Sequence, residues 1–82
     1  LKRIVFSDDA RENIRAIPQQ AAMNILGAIH RLAETGAGRV KALRGSNGEL
    51  RLRVGDFRVR FSEEGGDTLR IHAVKNRKDA YR

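Results

Sequence analysis

The sequence predicts a small α+β domain in the order β-α-α-β-β-β, an N-terminal helical hairpin packed on an antiparallel-rich sheet. Three stretches carry that expectation. Residues 50–61 alternate strictly between apolar and basic around Gly55-Asp56. Residues 18–34 repeat apolar side chains at helical spacing. Residues 68–74 alternate again. A strand, a helical hairpin and an antiparallel meander make one layered core. The 82 residues leave room for one such core and the 40% hydrophobic content can fill it, so 1–82 is read as a single domain.

Arg3-Ile4-Val5-Phe6 is short and β-branched-rich, and reads as the first strand. Ser7 is the expected N-cap of the first helix, with Asp8 and Asp9 in the turn where the helix dipole favours negative charge. This helix runs to about Ile17, with Ala10, Ile14 and Ile17 as a narrow apolar stripe. Pro18 ends it or opens the next helix. In the second helix, Ala22, Ile25, Ile29 and Leu32 recur at helical spacing, widened by Leu26 and Ala33, and Gly36 is a natural C′ residue. Residues 36–48 are glycine-rich and read as a flexible basic loop carrying Arg39, Lys41 and Arg44.

Gly first in a two-residue loop suits a type II′ hairpin turn. That turn sets the register: Val54 opposite Phe57, Arg53 opposite Arg58, Leu52 opposite Val59, Arg51 opposite Arg60, Leu50 opposite Phe61. The apolar side chains then share one face, and Arg51, Arg53, Arg58 and Arg60 share the other. Like charges directly opposite destabilise by about 0.2–1 kcal/mol per pair. A merely solvated face is better served by mixed signs; a polyanion over the face explains the pattern. The last strand is expected over Thr68–Val74, with Leu69, Ile71 and Ala73 inward and Arg70 and His72 extending the basic face. Lys75 to Arg82 form a charged tail.

The net charge of +7 and a pI near 11.1 point to nucleic acid, an anionic surface or an acidic partner. The chain has no cysteine, which excludes disulfides, thiolate metal sites and a cysteine nucleophile. It carries no apolar run of membrane-spanning length and no signal-like core, so a cytoplasmic protein without a membrane partner is expected. No glycine-rich phosphate loop or paired-histidine motif is present, and neither metal nor cofactor is expected. Ser7, Ser46 and Ser62 are explained by caps and turns, and His30 by a boundary position on the second helix.

His72, Lys75 and Tyr81 remain. His72 on the basic face is a candidate for proton transfer. Tyr81 near a cluster of Lys75, Arg77 and Lys78 can stack on a base. Cleavage of RNA through its own 2′-hydroxyl asks the protein for a base, an acid and a cation on the phosphorane. Arginine suits the last task through its planar donors.

The run Arg51-Leu52-Arg53-Val54-Gly55-Asp56-Phe57-Arg58-Val59 and the ending Val74-Lys75-Asn76-Arg77-Lys78-Asp79-Ala80-Tyr81-Arg82 resemble the RelE/ParE toxins of bacterial toxin–antitoxin modules. The resemblance extends over nearly the whole chain and implies a RelE-like fold. The ending in Tyr-Arg favours the RelE branch, whose members cut messenger RNA on the ribosome. By that resemblance, Arg58 contacts the scissile phosphate, Tyr81 stacks on and orients the substrate, and Lys75 stands where an arginine near the cleaved phosphate is common. Arg51, Arg53, Arg60, Arg77 and Lys78 then bind RNA. Two departures stand out. Arg51 takes the place of an active-site lysine, and arginine is a poor proton donor or acceptor. Ala80 precedes Tyr81, so the His-Tyr pair of YoeB-like relatives is missing; protons then fall to Lys75 or His72. The family implies a cognate acidic antitoxin and a toxin–antitoxin hetero-oligomer. A ParE-like gyrase inhibitor and a non-catalytic basic nucleic-acid-binding domain are the alternatives.

Overall fold

A computed structural model describes residues 1–43, 45 and 48–80, with the side chains of Asp79 and Ala80 left aside. Strand β1 (Arg3–Phe6) leads into helices α1 (Asp8–Arg15) and α2 (Gln19–Thr35). Strands β2 (Arg39–Ala42), β3 (Glu49–Val54), β4 (Phe57–Glu64) and β5 (Thr68–Asn76) follow, and a short α3 (Arg77–Ala80) ends the described chain. The sheet order is β1-β5-β4-β3-β2. β1 runs parallel to β5 at one edge, and the other neighbours are antiparallel.

Local chemistry explains the boundaries. Ser7 caps α1, its Oγ accepting the Ala10 N–H at 3.0 Å. Pro18 sits at the N-cap of α2. Gly36 closes α2 in the left-handed region at φ 77°, its N–H donating to the Leu32 carbonyl. Gly55 has φ 57° in a two-residue turn, as a type II′ hairpin requires, and the hairpin register is the one expected pair for pair.

The core lies between α2 and one face of the sheet. Ile25, Ile29, Leu32 and Ala33 pack against a cluster containing Leu52, Val59, Phe61, Leu69, Ile71 and Val74. Each large side chain buried there contributes about 1.5–3 kcal/mol. The opposite face of the sheet carries the hairpin arginines. Among the described residues, no helix is long and apolar enough to cross a membrane, and no His, Asp or Glu cluster is placed to hold a metal.

The structure departs from the sequence reading at three places. Residues Arg39–Ala42, read as part of a flexible loop, form an edge strand against β3. Its four residues are all exposed, so no apolar periodicity strong enough to announce it was needed. Strand β5 continues past Val74 to Asn76, and the tail turns into α3. The third departure, a register shift within β5, decides which side of the sheet Lys75 faces.

Candidate nucleic-acid interface

The cross-strand registers align four cations in a row. Arg39 faces Arg53, Arg53 faces Arg58, and Arg58 faces Lys75. At roughly 4.8 Å per strand, the row crosses on the order of 14 Å of sheet. Beside it runs a second row of Lys41, Arg51 and Arg60, which ends on Ala73. Among the described residues, no ion pair is formed by Arg39, Arg53, Arg58 or Lys75. Each like-charged contact costs about 0.2–1 kcal/mol, and in the first row no carboxylate among the described residues offsets it.

Arg58 lies at the centre and is only 5% exposed. Its Nη1 donates to the carbonyls of Gly55 and Phe57, both at 3.0 Å. These charge-assisted bonds contribute about 1.5–3 kcal/mol each and offset part of the several kcal/mol that burying a charge costs. They also fix the guanidinium against the hairpin turn. Its remaining N–H groups form a planar donor fork suited to a phosphate. Arg58 lines a cleft of about 280 Å³ with Arg39, Lys41, Arg51 and Arg53.

Lys75 reaches this row through a β-bulge. Below the bulge, Phe61 pairs with Ile71; above it, Arg60 pairs with Ala73, so His72 is the extra residue on β5. A shift of one residue exchanges the faces of everything beyond it. Leu69 and Ile71 are in the core, and so is Val74. Strict alternation from Leu69 would have sent Lys75 inward. Ala73, expected to point inward, instead stands in the row of Arg60, buried but outside the apolar cluster.

The expected extension of the basic face by Arg70 and His72 takes a different form. Arg70 Nε donates to the Glu64 carboxylate. His72 Nε2 and Ser62 Oγ share a hydrogen bond of 2.8 Å. His72 lines a second cleft of about 600 Å³ with Arg60, Ala73 and Lys75, walled on the α1 side by Asp9, Glu12 and Asn13. Arg60 is held bidentately by Glu49, both contacts at 2.8 Å. Arg77 and Lys78 are exposed on α3. The Arg77 N–H donates to the Asp56 carbonyl at 2.6 Å, which anchors α3 to the hairpin turn that also holds Arg58. Tyr81 lies outside the described residues. His30 is exposed on α2.

Arg39 and Lys41, read as basic residues of a flexible loop, join the two rows because they lie on strand β2. One further residue was missed by sequence reasoning. Ser62, explained as a turn residue, holds His72. No local pattern announces that contact, since it depends on the β4–β5 register.

The sequence matches the family model of the ParE toxin of type II toxin–antitoxin systems, parDE, over residues 4–81. No curated protein matches it significantly. Among solved structures, it resembles RelE in the RelB–RelE antitoxin–toxin complex of Methanococcus jannaschii, with a TM-score of 0.78 at 21% identity, over 94% of both chains. The mutant H87Q of YafQ from E. coli superposes with a TM-score of 0.77 at 12% identity over 100% of both chains. A chain of the chromosomal ParDE system of P. aeruginosa follows at 0.72 and 17%, covering 92% of this chain and 95% of that one. At these identities the likeness is one of fold.

Proposed function

Since the chain belongs to the ParE toxin family of type II toxin–antitoxin systems, we propose that it acts as a RelE-like endoribonuclease on ribosome-bound messenger RNA. The observation that carries this reading is a buried, immobilised Arg58 without a carboxylate partner among the described residues, set in a row of like charges. An incoming phosphodiester supplies the missing anion. It lies along Arg39, Arg53, Arg58 and Lys75, while Arg51, Arg60, Arg77 and Lys78 hold flanking phosphates.

Cleavage follows from the RNA's own chemistry. The ribose 2′ oxygen bonds to the adjacent phosphorus and the bond to the 5′ oxygen breaks. The products are a 2′,3′-cyclic phosphate and a 5′ hydroxyl. Arg58 stabilises the phosphorane charge from a fixed position, where preorganised donors act most strongly. Lys75, across the strand from Arg58, and His72, in the adjoining cleft, are the groups proposed to take the 2′ proton and return one to the leaving oxygen. Tyr81 is assigned to stacking on a base. The net charge of +7 suits a cognate acidic antitoxin, and the RelB–RelE complex is a precedent in fold for such a partner.

The family's description and the likeness to the ParDE chain favour a second reading, inhibition of DNA gyrase by binding alone. Cell-free translation with the purified protein, followed by primer extension on the message, separates the two. Ribosome-dependent cuts that vanish with Arg58→Ala are expected. Uncut message with translation intact, together with blocked gyrase supercoiling, would overturn the endonuclease in favour of the inhibitor.

A further inference from the structure

Strand β5 outruns its parallel neighbour. β1 pairs with it only as far as Ile71, yet the strand continues to Asn76. Its backbone beyond Ile71 therefore needs other partners on that edge. Helix α1 supplies them with side chains. Ser7 Oγ donates to the His72 carbonyl at 2.8 Å, and Asn13 Oδ1 accepts the Val74 N–H at 2.9 Å. The two contacts bracket Ala73, beside the bulge that sends Val74 to the core and Lys75 to the cationic row.

We propose that Asn13 is a positioning residue for Lys75, acting through the Val74 amide. The proposal rests on the RNA-binding reading of the cationic row. Asn13 lies 61 residues away in sequence, on the α1 wall of the larger cleft. Its carboxamide takes the place of a missing strand. It holds the residue immediately before Lys75, so the bulge stays in one register and the ammonium stays opposite Arg58. Ser7 already caps α1 and is the brace on the other side of Ala73. Without Asn13, the Val74 amide loses this partner and the segment is held less tightly, so the ammonium spends less time opposite Arg58.

The test is a double-mutant cycle on the full chain. Asn13→Ala, Lys75→Ala and the double variant are titrated with a single-stranded oligoribonucleotide across a salt series. Lys75→Ala is expected to flatten the salt slope by roughly 0.7, one phosphate contact on a single strand. Asn13→Ala is expected to flatten it by a similar amount, and to add nothing once Lys75 is gone. Loss of thermal stability alone does not move this slope. An unchanged slope in Asn13→Ala, or additive losses in the double variant, would overturn the proposal. An unchanged slope in Lys75→Ala would instead overturn the RNA reading beneath it. Hydrogen exchange on the unmutated protein checks the clamp without RNA. The Val74 amide should be protected by at least about tenfold, as a retained hydrogen bond allows; exchange at the rate of an open edge would refute the clamp.

Discussion

The two ends of the sheet treat their charges differently. Toward β1, cations meet carboxylates: Lys2 pairs with Glu63 at 2.9 Å, and Arg70 pairs with Glu64. Toward the hairpin turn, Arg39, Arg53, Arg58 and Lys75 stand in register, and none forms an ion pair among the described residues. Arg60, held by Glu49, lies at the border. The first arrangement is an ordinary solvated surface, where each pair is worth about 0–1 kcal/mol. The second stores mutual repulsion of similar size per contact. Strands β4 and β5 carry both arrangements, paired cations at one end and unpaired ones at the other, so fold stability alone does not require the second. An anionic ligand relieves it.

The largest expected effect comes from the centre of the unpaired end. Arg58→Ala should lower ribosome-dependent cleavage by about 100- to 1000-fold, the usual loss when one preorganised donor is removed. Arg58→Lys keeps the charge but loses the fork and should recover only part. Primer extension against wild type reads both. If Arg58→Ala folds and cuts normally, the distinction between the two ends has no catalytic meaning.

Deletion of Ala73 probes the same end through its backbone. It removes the bulge, sets His72 opposite Arg60, and leaves Val74 on the core side and Lys75 opposite Arg58. The deletion should therefore keep the salt slope of RNA binding within about 0.7 of wild type, while urea denaturation shows a loss of about 1–3 kcal/mol from the α1 contacts that bracket the deleted residue. A slope flattened by a full phosphate contact would mean that the bulge itself, rather than the pairing of β4 with β5, places Lys75 in the row.

The border residue sharpens the comparison. Glu49→Gln should release Arg60 to the ligand and steepen the salt dependence of RNA binding by roughly 0.7. The smallest effect belongs to the paired end. Arg70→Ala should change stability by less than about 1 kcal/mol and leave the salt slope as it was. A slope change there as large as at Arg53→Gln would erase the difference between the ends.

Much of this contrast was legible in the sequence. Alternation around Gly55-Asp56 set the hairpin register, because a two-residue turn leaves no freedom in pairing. The stripe through Ile25, Ile29 and Leu32 placed α2 on the core, because burial enforces helical periodicity. The basic face followed from both. The short strand Arg39–Ala42 escaped because all its side chains are exposed, and periodicity reports burial. The bulge at His72 escaped for another reason. Ala73 fits a core or an edge equally well, so the phase change leaves no mark in residue type. The Asn13 and Ser62 contacts are consequences of that register and of α1 docking beside β5. They join residues distant in sequence, which no local pattern links.

The most direct test compares two triple variants of equal net charge. One neutralises the unpaired row with Arg39→Gln, Arg53→Gln and Lys75→Gln. The other neutralises the paired end with Lys2→Gln, Arg3→Gln and Arg70→Gln. Binding of each to a single-stranded oligoribonucleotide is measured from low to high salt. The row variant is expected to lose roughly 2 units of salt slope, and the control less than about 0.7. Equal losses would contradict the account, leaving net charge rather than the row as what meets the RNA.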